Sequence, residues 1–295
     1  MAQQIIYTPD PARGWRPWGI LVPFLGMALF VLPHDLVALW LLHLHLFQRG
    51  VGPIGFTGFV TFLVLAFGTA CLVILAWVRF VERRSLASIG LTRAKPLRTF
   101  LAGHLTGSVM VVAIVLGDWV CGAFGVGGYA TAFQSPSDLG AIAVLLVCFA
   151  VQSSVEEIVF RGWMLSAIAA KFGVAAGVAV STLMFALVHF DPHAPVLFGA
   201  TAILFSLFAC AWSLRTGNVW GIMGFHAGWN WLTAVGFELT VTGLDVHEPA
   251  LLVKLIPVGP AVLTGGKYGP EASIFCVVVL AVGLAFELIR RRIAR

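Results

Sequence analysis

Glu156, Glu157 and Arg161 stand at the close of an apolar run, residues 139–160, that is otherwise long enough to cross a bilayer. A charge at bilayer depth costs roughly 2.5–3.5 kcal/mol on insertion scales. Three of them within six residues must therefore pair, reach water or perform chemistry. Helical residues four apart share a face, so Glu157 and Arg161 can pair along the axis. Glu156 is turned by about 100° and meets a different neighbour. The spacing supplies one acid already neutralised and one still free, which makes Glu156 the candidate general base.

Two further spacings of four follow. Phe185-Ala186-Leu187-Val188-His189 ends an apolar segment, and His226-Ala227-Gly228-Trp229-Asn230 lies within another. A lone histidine near a membrane boundary is ordinarily a capping or interfacial residue, and His226 with Asn230 is ordinarily an interhelical polar contact. Asp191 and His193, flanked by Pro192 and Pro195, read as loop residues. Taken together, an acid, two imidazoles and a carboxamide stand on three successive hydrophobic helices. That set contains a water-activating base and donors for a developing oxyanion.

The elements that must position them are membrane spans. Of 295 residues, 60% are hydrophobic and 11% charged, against about 25% charged in soluble domains. Eight segments suit a crossing: 18–42, 56–78, 100–124, 139–160, 174–190, 194–214, 217–237 and 273–289. The expected fold is all-α, a polytopic bundle of about eight transmembrane helices. The net charge of +5 is distributed by side rather than gathered into a patch. One side collects Arg13, Arg16, Arg79, Arg83, Arg84, Arg93, Lys95, Arg98, Lys171, Arg215, Arg290, Arg291, Arg292 and Arg295, and the other only Arg49, Lys254 and Lys267. This positive-inside asymmetry predicts both termini cytoplasmic and argues against a nucleic-acid partner. The five cysteines all lie in apolar segments without a CxxC pair, so neither a disulfide framework nor a zinc ribbon is expected.

The chain divides into residues 1–138, with three spans and a basic linker at 79–98; a polar-rich core, 139–237; and 238–295, an outer loop and a final span. The linker reads as an orientation signal, with an amphipathic surface piece as the alternative. The apolar stretch 250–263, broken by Pro257 and Pro260, is too short to cross and suggests an interfacial or re-entrant segment.

Glu156-Glu157-xxx-Arg161, Phe185-xxx-His189 and His226-xxx-Asn230, in this order, resemble the three signature motifs of the CAAX-protease and bacteriocin-processing family (CPBP, also called Abi), which are intramembrane endopeptidases. The resemblance covers 139–237. It implies that Glu156, assisted by His189, activates water, that His226 and Asn230 stabilise the oxyanion, and that Glu157 with Arg161 supports the site. The implied partners are the lipid bilayer and a membrane-bound or lipidated protein or peptide substrate, in an integral multi-pass protein of a bacterial cytoplasmic membrane. No cofactor is assigned. A divalent metal such as zinc, held by Glu156, His189 and His226, is the open alternative, although the HExxH spacing of a zincin is absent. Rival readings are a proton-coupled transporter using the same buried groups and a non-catalytic partner-binding or immunity protein.

The expected site is a water-containing cavity among helices four to seven, opening toward the inner face. Counting depth at 1.5 Å per residue, Glu156 lies about 25 Å inward from residue 139 and His226 about 14 Å from the inner face. His189 lies about 22 Å from that face, too far out to meet them. Either the fourth and fifth helices tilt strongly or the fifth begins deeper.

Overall fold

The computed structural model describes residue 7 and residues 13–293, with side chains as far as residue 290. The side chains of Arg291, Arg292 and Arg295, counted above among the inner cations, lie outside the described residues. Each predicted span is a helical rod: α1 Gly19–His43, α2 Gly55–Val81, α3 Pro96–Val120, α4 Pro136–Phe172, α5 Val174–Val188, α6 Val196–Thr216, α7 220–236 and α8 Ile274–Ile293. Five of these (α1–α4 and α6) are long and apolar enough to cross a membrane by length and composition. Many outward side chains are large and apolar, among them Leu36, Leu105 and Val282, as lipid contact requires. This is a polytopic helical membrane protein.

Local sequence explains the ends. Pro96 and Pro136 occupy the first turns of α3 and α4, where a missing N–H is harmless. Ser135 caps α4 by accepting from the Ser137 amide at 3.3 Å. Gly173, at φ +86°, makes the one-residue reversal between α4 and α5 that a side chain would resist.

Here the depth count above is corrected. The fourth helix does not end at Phe160 but runs on to Phe172 through a wide π-helical stretch, Ile158–Met164. Depth is therefore measured from the Gly173 turn. Glu156 lies about 24 Å up α4 and His189 about 22 Å up α5, at the same level. Neither a strong tilt nor a deeper start of the fifth helix is needed. It is α7 that begins deeper, since His226 lies only about 9 Å from its start at Trp220. The Val219 amide bonds the Gly90 carbonyl, next to the Ile89 oxygen that Gly162 approaches. The charges at 156–161 mark the middle of a helix, because their neutralisation inside the bundle lets the helix continue.

α7 is set by close approach to α3. A Cβ on Gly103 would fall 1.9 Å from the Gly221 carbonyl oxygen, and one on Gly107 2.0 Å from that of Phe225. From the other side, Gly224 and Gly228 stand equally close to the carbonyls of Phe100 and His104. Four small residues thus seat two backbones against each other, the packing device membrane helices favour. Gly224 and Gly228 belong to the same helix turns as His226 and Asn230, so this contact leaves the polar pair turned toward α4.

The ends of the bundle differ. At one, Lys171 donates to the Pro17 carbonyl at 2.6 Å and Arg215 holds Glu287 through two bonds of 2.5 and 3.0 Å. At the other lie two short ribbons. β1 Phe47–Gln48 pairs with β2 Gly52–Pro53, and β3 Phe124–Tyr129 pairs antiparallel with β4 Val253–Pro257, in register Phe124↔Pro257 with an irregularity at Gly127. The stretch 250–263 is therefore strand β4 followed by a helical turn, Ala261–Thr264, not a re-entrant segment. Its amides are satisfied by a distant strand, so it needs no lipid. The third rod ends at Val120, and Phe124 begins β3. The cysteines are free: Cys148, Cys210 and Cys276 are buried, Cys71 is half-buried and Cys121 is exposed.

Candidate active site

The facing surfaces of α4 and α7 assemble a buried polar layer. Arg161 Nη1 donates to Glu157 Oε1 at 3.0 Å, the four-residue pair that the spacing predicts, with both side chains fully buried. His226 Nδ1 lies 2.9 Å from the same oxygen. Because a carboxylate only accepts, that imidazole nitrogen carries the hydrogen. One helical turn away, Gln152 Nε2 donates to Glu156 Oε1 at 2.6 Å, while Asn230 Nδ2 donates to Gln152 Oε1 at 2.9 Å. Ser153 Oγ donates to the same amide oxygen at 3.0 Å. The series Asn230–Gln152–Glu156 orients one carboxylate oxygen. The other, Glu156 Oε2, is buried without a protein hydrogen-bond partner, as is Glu157 Oε2.

Aromatic rings close the layer on the α5 and α6 side. The Arg161 guanidinium sits 4.1 Å over Phe185, whose ring stacks on Phe205 at 5.7 Å and 6°. This contact supports a buried cation whose Nε and Nη2 have no hydrogen-bond partner. His189 rests on the same Phe185 ring, centroids 4.3 Å apart, with its Nδ1 2.9 Å from the Phe185 carbonyl oxygen. A carbonyl accepts, so Nδ1 is protonated and Nε2 presents its lone pair. Phe185 and His189 are thus joined twice, by ring contact and by the i, i+4 bond.

The structure brings Glu156, Glu157, Arg161, His226 and Asn230 to the same α4–α7 interface as two hydrogen-bonded groups, Glu157 with Arg161 and His226, and Glu156 with Gln152 and Asn230. His189 joins them at one remove, through Phe185 and a cleft that it shares with His226 and that Glu156 and Asn230 do not line. That cleft, about 30 Å³, is lined by His189, His226, Phe185, Phe205, Thr201 and Glu271. It has room for one water. Its walls reach Thr242 and Glu271 in the outer loop region, not the basic end. The expectation of an opening toward the inner face is not met by this cleft, whose lining includes Thr242 and Glu271 and none of the basic residues of the other end.

Three contributors were not singled out in the sequence. Gln152 lies four residues before Glu156, and the spacing rule that paired Glu157 with Arg161 would have found it. Glu271, far along the chain, accepts from Trp229 Nε1 at 2.9 Å and from the Thr242 amide at 2.5 Å, tying the outer loop to α7 beside Asn230. His34 of α1 packs on Phe30 and Phe67, Phe30 in turn meeting Phe160 of α4, and its buried Nε2 has no hydrogen-bond partner. Nothing in the α1 sequence points to that meeting.

Among the described residues, no group of three or more His, Cys, Asp and Glu is close enough together to hold an ion. Glu156 Oε1 and both Nδ1 atoms are held by protein partners, which leaves Glu156 Oε2 and the two Nε2 atoms as the donors of the trio, and these are not gathered into one group. The trio Glu156, His189 and His226 does not fit a metal as arranged.

Residues 138–232 match the model of the family described as Type II CAAX prenyl endopeptidase Rce1-like. No curated protein matches the chain.

Proposed function

We propose that this chain is an integral membrane protease of CAAX type, like the Rce1-like type II CAAX prenyl endopeptidase family whose model residues 138–232 match, and that Glu156 is the base that activates water. The reading rests on one observation above the rest: Glu156 has one oxygen fixed by Gln152 and the other buried without a partner. An oriented carboxylate with a free lone pair, in a site shielded from bulk solvent, suits proton abstraction from water.

Charge balance assigns the remaining parts. Glu156, Glu157 and Arg161 sum to one negative charge, so a single proton makes the buried group neutral. On His226, with Nδ1–H on Glu157 Oε1, that proton leaves Nε2–H as a donor for the oxyanion and Glu156 ionised as base. Water gives its proton to Glu156 and attacks the scissile carbonyl, and His226 donates to the tetrahedral oxygen. Glu156 then returns the proton to the leaving amine. His189, with Nε2 open toward the cleft, steadies the attacking water. Asn230 serves through Gln152, because its amide hydrogens point to Gln152 Oε1 and, at 3.5 Å, to Ser153 Oγ. It reaches an oxyanion only after releasing them. The substrate is a membrane-associated or lipidated peptide, in keeping with the type of protease.

The test is cleavage of a farnesylated peptide ending in a CAAX sequence, with its unlipidated twin, by the purified chain in vesicles. Cleavage of the lipidated peptide, lost in His189→Ala, supports the assignment. Proton flux through the same vesicles without cleavage would replace it with transport.

A further inference from the structure

A cavity of about 1240 Å³ lies at the basic end of the bundle, separate from the His189–His226 cleft. Arg13, Arg79, Arg83, Arg84 and Arg93 line it, and no Asp or Glu does among the described residues. Arg84 binds Glu82 at 2.5 Å. The other four form no ion pair among the described residues. Apolar side chains line it beside the arginines, among them Leu75 and Phe80 of α2, Ile158 of α4 and Met223 of α7.

The basic wall is held in place. Gly14 N donates to the Glu82 carbonyl at 3.1 Å, and a Cβ on Gly14 would lie 2.1 Å from the Val81 oxygen. This seats Arg13 against the end of α2. Arg83 takes a left-handed backbone, φ 52°, where the chain leaves that helix. The linker packs onto α4 as well, since a Cβ on Gly162 would meet the Ile89 oxygen at 2.7 Å.

Guanidinium groups with an apolar wall beside them match a ligand having a phosphate at one end and hydrocarbon at the other. The cavity sits at the membrane's inner surface by the charge count, where basic clusters meet anionic headgroups. A substrate is not the occupant. Ile158 is turned by about 200° around α4 from Glu156, and none of Glu156, His189, His226 and Asn230 lines the cavity. A molecule bound there is behind the catalytic face.

We propose that this cavity binds an anionic phospholipid of the inner leaflet, with its phosphate on Arg79, Arg83 and Arg93 and an acyl chain along Leu75 and Phe80. The assignment is independent of the proteolytic reading.

The experiment uses the full chain in detergent, titrated with dioleoyl phosphatidylglycerol or dioleoyl phosphatidylcholine, and counts lipids retained by native mass spectrometry. One phosphatidylglycerol per chain is expected to outlast phosphatidylcholine. In R79Q/R83Q/R93Q its affinity is expected to fall on the order of 100-fold, at about fivefold for each arginine. R49Q/K95Q/R98Q, with the same charge loss away from the cavity, is expected to stay within about threefold of the parent chain. Leu75→Trp fills the apolar wall without changing charge and is expected to weaken phosphatidylglycerol as well, which keeps the question open to decision if the arginine variant does not fold. Soluble glycerol 3-phosphate is expected not to compete at equal concentration. Unchanged binding in the cavity variants overturns the proposal. So does equal loss in the control variant, or glycerol 3-phosphate competing as well as the lipid.

Discussion

Replacing Arg161 with Met separates the electrostatic role of the buried layer from its packing. Arg161 and Glu157 have no solvent exposure, and their hydrogen bond is 3.0 Å long. Without the guanidinium, Glu157 keeps only the 2.9 Å bond from His226 and becomes a buried charge with too few donors. Breaking one side of such a pair costs about 3–5 kcal/mol, whereas replacing both partners with apolar or neutral groups is often nearly neutral. Arg161→Met and Glu157→Gln are each expected to lose about that much stability, near 10 °C in melting temperature at roughly 2–4 °C per kcal/mol. The double variant is expected to recover most of it, with a coupling of at least about 2 kcal/mol. The molecule supplies its own reporter. Cys148, Cys210 and Cys276 are buried free thiols, so a thiol-reactive fluorophore follows unfolding, in a Cys121→Ser background that removes the exposed thiol. Losses that simply add across the double variant, within about 0.5 kcal/mol, would refute the argument that charge compensation holds this layer together.

Other consequences concern packing and chemistry. Gly107→Val pushes α3 from α7 at a contact of 2.0 Å, and is expected to leave little folded protein on size-exclusion chromatography, while Gly140→Ala, which meets nothing within 4 Å, behaves as the parent. Gln152→Leu removes the donor to Glu156 and the acceptor for Asn230, so cleavage is expected to slow about 10–100-fold, from hydrogen bonds to a charged group of about 1.5–3 kcal/mol, and the buried groups left unpaired are expected to lower the melting temperature by a few degrees. A rate within threefold of the parent removes the orienting series from the mechanism. Treatment with a strong zinc chelator is expected to leave cleavage intact, and activity lost to the chelator and restored by zinc returns a metal to the site.

Much of this arrangement was legible because span length and spacing of four are strong signals. The eight rods follow from apolar runs, and the Glu157–Arg161 pair follows from helix geometry alone. What the sequence concealed was tertiary. Residues 161–172 begin with a charge and carry Ser166 and Lys171, so they read as the end of a span; only neutralisation of Arg161 inside the bundle lets α4 run on. Gly103 and Gly107 looked like ordinary small residues until α7 supplied the carbonyls they receive. The β3–β4 ribbon joins segments more than a hundred positions apart, both short and rich in turn formers, and local patterning does not announce such a pairing. Glu271 and His34 likewise meet the site only through the fold.

Glu156→Gln gives the most direct test, because it keeps the size of the side chain and can still bond to Gln152 while removing the basic oxygen. With the farnesylated peptide, turnover is expected to fall at least about a thousandfold, toward the upper range for loss of a general base, with melting unchanged. Turnover by Glu156→Gln at the parent rate contradicts the assignment of water activation to this carboxylate.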